Sequence, residues 1–356
     1  MTVPAVMRGV LLTGNGGFDR LELRDDLAVP LPGPGEVLIN IAAAGVNNTD
    51  INTRIGWYSK AVAEPTDVGG ATGIAGAQDD GWSGAAFRFP RIQGADACGR
   101  IVAVGAGVDP RRIGERVLVE PVVRGNGPFD VVYFGSEVDG GFADYCRVPA
   151  VHAHAVHSSL SDAELASFPC AYSAAENMLT RIGLAAGERV LITGASGGVG
   201  SAAVQLARRR GAVVIAMAGS DKAEAVRALG AAEVIARDAD LAALFGQDPF
   251  DAAVDVVGGP QFAAILKCLR NGGRYAAAGA ISGPLVELDL RTLYLKDLHL
   301  AGCTVLTPEV FPNLVGYIER GEIAPLVAQT YPLFDIVRAQ EAFLSKRHVG
   351  KIVLTL

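Results

Sequence analysis

The residues with the clearest chemistry are Gly194-Ala195-Ser196-Gly197-Gly198-Val199-Gly200, which follow the apolar run Val190-Leu191-Ile192-Thr193 and open a helix-forming run over 199–210. Small residues at 195, 197 and 200 have the G-x-G-x-x-G spacing, with Ala195 in the first place, and a strand-to-helix turn is the context that this dinucleotide fingerprint requires. Gly197 lets backbone approach a pyrophosphate, and Gly200 allows close contact between helix and strand. The N–H groups at the start of the helix, over Ser196, Gly197, Gly198, Val199 and Gly200, meet phosphate at the positive end of the helix dipole. The same residues also satisfy G-x-S-x-G, which would make Ser196 a hydrolase nucleophile with an Asp and His299 or His348 downstream. Gly198 and Gly200 have no role in that elbow, so it stands second.

The end of the next strand, 213–217, should carry an acid if the cofactor is NAD, to hold the ribose 2′-OH. That position falls on Gly219 in Ala218-Gly219-Ser220-Asp221-Lys222. Without an acid there a 2′-phosphate is not repelled, Ser220 can donate a hydrogen bond, and Lys222 adds a charge. Asp221 argues the other way. NADPH is therefore expected over NADH.

Two further clusters invite a metal. His152, His154 and His157 are close in sequence, and 152 and 154 would share one face of a strand, yet an ordinary surface position is expected for them. The five cysteines (98, 146, 170, 268 and 303) are scattered, odd in number and without CxxC spacing. That is the usage of a reducing compartment, not of a disulfide framework or a four-cysteine zinc lobe.

The 356 residues carry 31 basic and 38 acidic side chains, a net charge of −7, and 50% are hydrophobic. No Lys/Arg-rich block suggests nucleic acid. Residues 190–207 are free of charge, but a glycine cluster breaks them, so they read as strand, loop and helix and not as a membrane span. A soluble cytoplasmic protein is expected.

Residues 1–157 look β-rich, with β-branched runs between Gly/Pro turns. Ser161-Asp162-Ala163-Glu164 has capping-box spacing and opens a helix expected to run to Arg181. Strands at 190–193, 213–217, 233–235, 252–257 and 274–278 then alternate with helices at 199–210, 222–229 and 260–269. Such βαβ units build a parallel, doubly wound α/β sheet. The expected organisation is a nucleotide-type domain at 158–299 inserted into a β-rich domain at 1–157 and 300–356. The Gly/Ala-rich excursion 59–89 has no clear period, and Trp57, Tyr58 and Trp82 near it could pack on a ligand or anchor the loop.

In order, PGPGEVLINIAAAGVNNTD, IQGADACGRIVAVGAGV, GERVLITGASGGVGSAAVQLARRRGA, DVVGGPQF, NGGRYAAAGA, LYLKDLHLAGCT and the terminal GKIVLTL resemble the medium-chain dehydrogenase/reductase superfamily, in particular its zinc-free quinone oxidoreductase-like branch. The resemblance implies a GroES-like β-rich catalytic domain, a Rossmann domain, an active cleft between them and a homodimer paired through the Rossmann sheets. It adds Val257 and Gly279 to the cofactor-binding set, and Arg237 where a family Tyr lies near the adenosine end. In the family's zinc alcohol dehydrogenases GVCHTD supplies a Cys ligand; here it reads Gly45-Val46-Asn47-Asn48-Thr49-Asp50. The family's GHE reads Gly94-Ala95-Asp96, and only Cys170 falls at a ligand position. Catalytic zinc needs three protein ligands and an open site, so no metal is expected.

Without a Lewis acid, an enone or quinone is an easier acceptor than a plain ketone, because hydride addition leaves a delocalised anion. The resemblance therefore implies an NADPH-dependent reductase of a small-molecule quinone or α,β-unsaturated carbonyl, with no nucleic-acid or membrane partner. Asn47 matches an Asn common in the zinc-free cleft and is a candidate amide donor. Tyr58 matches an aromatic position and is the candidate proton donor. Asn48 and Asp50 are further catalytic candidates, although Asp50 also suits a helix cap. Asn52 stands where relatives often have Tyr, and Ala174 where they have Thr. The loss at 52 leaves open an NADPH-binding sensor or structural protein with little turnover.

Overall fold

The computed structural model describes residues 3–77, 87–127 and 129–356; Trp82 lies outside them. The chain divides into two compact units, one comprising Met1–Val62, Gly69–Cys170 and Phe311–Leu356, the other Ala63–Val68 and Ala171–Val310.

The first unit is built on the eleven-residue strand Glu36–Val46. Its alternation sends Val37, Ile39 and Ile41 into one buried cluster with Ile101, Val117 and Val148, and Ala44 and Val46 into another with Phe142, Ile336 and Ile352. A strand that is apolar on both faces must be covered on both, which is why it lies inside a seven-stranded sheet. It pairs antiparallel with Cys98–Val104 and Tyr145–Pro149, and with the terminal strand Lys351–Thr355 in the register Ile352 opposite Val46. That register places Lys351 beside Asn47.

The second unit holds six parallel strands in the order Glu233–Ile235, Val213–Met217, Arg189–Ile192, Phe250–Asp255, Leu269–Ala277, His299–Gly302. The order reverses beside Arg189–Ile192. Open parallel sheets bind ligands at such a switch point, outside the carboxyl ends of the strands. The helix Gly198–Arg209 starts there.

The expected single helix from 161 to 181 is two helices, Asp162–Leu165 and Pro169–Arg181. The capping box is present, with Ser161 Oγ accepting from Glu164 N at 3.3 Å. Pro169 ends the first helix, since it has no N–H and biases Phe168 away from the helical region, and it is accommodated in the first turn of the second. Of the histidine cluster only His157 is exposed as expected; His152 and His154 turn inward. His152 is 4% exposed, and His152 Nδ1 and His154 Nε2 each lie 3.2 Å from Glu120 Oε2. His152 Nε2 accepts from the Arg124 N–H, so the Nδ1 nitrogen carries the proton. Those partners and the Arg124 guanidinium outweigh burial and hold the Glu120 carboxyl down near about 2. The five cysteines are buried and form no disulfide. No helix among the described residues is long and apolar enough to cross a membrane.

Candidate active site

In the second unit the glycine loop forms as its residue types require. Gly194 has φ +57°, a backbone conformation that favours glycine. A Cβ at Gly200 would overlap the Gly194 carbonyl and come within 2.8 Å of Ala195 Cα, so the chain itself demands glycine there. At Gly197 a Cβ would meet only Gly194 O at 3.5 Å, an ordinary contact. Packing therefore does not require glycine at 197. Gly197 caps the twelve-residue helix, whose first-turn N–H groups have no intrahelical acceptors and are of the kind that binds anions. These residues fit a dinucleotide pyrophosphate.

At the end of Val213–Met217, Gly219 lies with Asp221 and Arg237. A Cβ on it would come 2.6 Å from Asp221 Oδ1 and 3.4 Å from the Arg237 guanidinium. Lys222 is close enough to feel both: desolvation depresses its pKa first, Asp221 opposes this, and Arg237 adds to the depression. Arg237 and Lys222 thus lie near the position where an NAD site carries its acid, with Asp221 beside them. Val257 is fully engaged through its backbone, N–H to Asp255 Oδ1 at 2.8 Å and C=O from Ser282 N at 2.9 Å, leaving its side chain to face the loop. A Cβ on Gly194 would lie 3.0 Å from that side chain, and one on Gly279 2.8 Å from Val256 O.

Ser196 lacks the strained backbone of a nucleophile elbow, since the non-glycine residues with positive φ are Asp248, Asp297 and Lys346 among the described ones. His299 begins its strand, whereas Ser196 follows the end of a parallel strand, so the two lie at opposite ends of the sheet and cannot pair.

In the first unit Asn47, Asn48, Asp50 and Tyr58 do gather, around the helix Asn48–Ile55. The Asn47 N–H donates to Asp50 Oδ2 at 2.7 Å, which makes Asp50 a cap. Both amide hydrogens of Asn47 are spent inside the protein, on Asp96 Oδ2 at 2.7 Å and Gly45 O at 3.3 Å. Its Oδ1 accepts from Lys351 Nζ at 2.6 Å, and the same ammonium donates to Asp96 Oδ2 at 2.8 Å and Val46 O at 3.1 Å. Asp96 Oδ1 accepts from Cys170 N at 2.6 Å. Asn47 is therefore a node in a buried network, with no amide hydrogen left over for a substrate.

Tyr58 donates to Thr49 Oγ1 at 3.1 Å, and Asn52, which accepts from Asn48 Nδ2 at 3.1 Å, also meets the phenol. Burial pushes the Tyr58 hydroxyl up to about 12, so it is neutral and carries a proton at pH 7. Asp50 is 1% exposed, and burial is the first cause that lifts its carboxyl to about 7, against the opposing Asn47 N–H and Lys351 charge. Its Oδ1 makes no hydrogen bond.

Sequence reasoning missed Lys351, Asp96, Thr49 and the Asn52 contact. A lysine opening the apolar run KIVLTL was the available signal, because a charge in a strand buried on both sides needs a partner. As a zinc site the cluster fails on its donors. Asn47 is occupied, Ala95 has no ligand atom, burial pushes the Cys170 thiol up and away from the thiolate that zinc requires, and the Lys351 ammonium already neutralises Asp96.

Residues 33–158 match the family model described as alcohol dehydrogenase GroES-like domain, and residues 198–320 the model described as zinc-binding dehydrogenase. The quinone oxidoreductase of Lama guanicoe is 29% identical over 99% of this chain and 98% of its own length. Acryloyl-coenzyme A reductase of Metallosphaera sedula is 28% identical over 98% of this chain and 100% of its own. Among solved structures, a Sinorhizobium meliloti 1021 protein provisionally called an alcohol dehydrogenase superposes with a TM-score of 0.89 at 48% identity, covering 99% of this chain and 97% of that one.

Proposed function

The chain belongs to the medium-chain dehydrogenase/reductase superfamily, and from that premise we propose that it reduces a quinone or an α,β-unsaturated carbonyl compound with NADPH, without zinc. The observation that carries the reading is the replacement of a metal-ligand set by the Asn47–Lys351–Asp96 network, which leaves no Lewis acid to polarise a plain ketone. Acryloyl thioesters and quinones, the substrates in the names of two relatives, are conjugated acceptors that need none.

Bound NADPH would supply the hydride. The helix N-terminus at Gly197–Gly200 would hold the pyrophosphate, and Arg237, Lys222 and Ser220 the 2′-phosphate. Tyr58, neutral and set by Thr49 and Asn52, would turn its hydroxyl proton from Thr49 to the enolate or hydroquinone anion that hydride addition leaves. Asn47 and Asp50 act behind it, fixing the start of the helix that carries Thr49 and Asn52.

The edge strand His299–Gly302 pairs on one side with Leu269–Ala277, and Leu290, Tyr294, Leu295 and Leu300 nearby are exposed. An unpaired, apolar sheet edge suits antiparallel pairing with a second copy across a two-fold axis, and a homodimer is part of this reading.

The test is oxidation of NADPH by the EDTA-treated protein against a panel of quinones and enones, with NADH in parallel. Chelator-resistant, acceptor-dependent turnover that prefers NADPH is expected. Loss of activity on chelation would overturn the zinc-free assignment. Tight NADPH binding with no turnover on any acceptor would favour a sensor or structural role instead.

A further inference from the structure

Asp255 is fully buried, 0% exposed, at the end of Phe250–Asp255, and its carboxylate gathers four donors from three parts of the second unit. Oδ1 accepts from Thr193 Oγ1 at 2.6 Å, Val257 N at 2.8 Å and Gly258 N at 3.0 Å. Oδ2 accepts from Tyr275 Oη at 2.6 Å. Thr193 directly precedes Gly194, and its hydroxyl also accepts from Val256 N at 3.1 Å. The threonine therefore spends its one proton on Asp255 and takes the N–H of the next residue, so its rotamer is fixed by both ends of the link.

Through this link the glycine loop and the Val256–Val257 segment are held in register. The two are in contact: a Cβ on Gly194 would lie 3.1 Å from the Val256 side chain and 3.0 Å from that of Val257. Beyond them Gly258 (φ +62°) and Gly259 (φ +66°) turn the chain against Ala280–Ser282, where a Cβ on Gly259 would meet Ser282 O at 2.7 Å. None of these four hydrogen bonds points at a ligand. A buried carboxylate needs partners, but nothing in stability requires that they come from the two loops on either side of the switch point.

We propose that Asp255 and Thr193 are positioning residues for the cofactor: their buried link sets the Val256–Gly259 loop against the Gly194–Gly200 loop, so that phosphates and nicotinamide are held at one fixed spacing. The proposal rests on the nicotinamide reading of the site. It predicts an effect on ligands that span both loops and little effect on a ligand that uses only the adenosine side.

The experiment compares NADPH with 2′,5′-ADP, which lacks the nicotinamide half, by fluorescence and calorimetric titration of the full-length protein. Thr193→Val keeps the shape of the side chain and removes both bonds; Thr193→Ser keeps both. The valine variant is expected to bind NADPH about tenfold more weakly and 2′,5′-ADP within twofold of wild type, with serine restoring NADPH affinity. Equal losses for both ligands would mean a merely structural role, and no loss for either would remove the role; each overturns the proposal. If the valine variant does not fold, Thr193→Ala removes the same bonds without the added methyl and gives the same comparison. Wild-type protein that binds neither NADPH nor NADH would instead overturn the nicotinamide reading, a result separate from any difference between variants.

Discussion

Replacing Lys351 by methionine tests whether the network around Asn47 holds this region together. Lys351 is 3% exposed and Asp96 0%, with Nζ and Oδ2 2.8 Å apart. At that distance and an effective dielectric near 20, their attraction is about 6 kcal/mol. Desolvation offsets much of it, so the pair adds little beyond an apolar substitute. Removing one partner is different, because it leaves Asp96 charged and buried with only the Cys170 N–H and the Asn47 amide as donors. Such breaks cost about 3–5 kcal/mol. At roughly 2–4 °C per kcal/mol for units of 150–250 residues, the unfolding midpoint should fall on the order of 10 °C. Thermal unfolding of Lys351→Met, Asp96→Asn and the double variant, followed by circular dichroism, gives the cycle. The double variant should recover at least about 2 kcal/mol over the sum of the singles, within the range seen for residues in one network. Additive single losses, or a Lys351→Met protein as stable as wild type, would refute the reasoning.

Asp50 gives a pH signature. Its folded value of about 7 lies above the roughly 3.9 of an unfolded chain, so the folded protein binds more protons between those values and this group lowers stability as pH rises from about 4 to 7. Asp50→Asn should match wild type below about pH 4 and exceed it at pH 8 by up to a few kcal/mol; a difference independent of pH in denaturant titrations would count against the shift. Tyr58→Phe should lower kcat by about 10²-fold or more with acceptor KM little changed, and steady-state rates that stay at wild-type level would remove Tyr58 as proton donor. Arg237→Gln with Lys222→Ala should cut NADPH affinity about 10-fold or more, given charge-assisted phosphate bonds, and leave NADH unchanged, as read by cofactor fluorescence. Leu300→Lys at the sheet edge should shift the mass measured by light scattering from dimer to monomer, and a wild-type mass equal to one chain would end the dimer reading.

Much of the second unit was legible because its signals are local. Alternation of short apolar runs with helical stretches, and glycines at 194, 197 and 200, report on residues within one turn of each other. The strands and helices expected there agree with observed elements to within a few residues, apart from the leading part of Leu269–Ala277. The helices Leu241–Phe245 and Leu290–Leu295 and the edge strand His299–Gly302 were not foreseen. The helix expected to run unbroken to Arg181 failed at Pro169, a breaker present in the sequence but outweighed by the capping signal ahead of it. His152 and His154 were misplaced because short polar clusters usually face solvent, whereas Glu120 draws both inward.

The candidate donors show the limit more sharply. Asn47, Asp50 and Tyr58 are close in sequence and their gathering around one short helix follows from that spacing. That the Asn47 amide is already committed does not, because its partners are Asp96 and Lys351, 49 and 304 positions away. Their meeting depends on the antiparallel register that sets Ile352 opposite Val46 and on the loop ahead of Cys98–Val104. Gly45 makes room for it, since a Cβ there would overlap the Asp96 carboxylate. Periodicity and turn chemistry, which act over a few residues, determined from sequence alone the parallel α/β class of the second unit, its glycine loop between strand and helix, and the acid missing from position 219. Which polar groups are left with a proton to give was decided by tertiary structure, because hydrogen-bond capacity is consumed by partners that only folding brings within 3 Å.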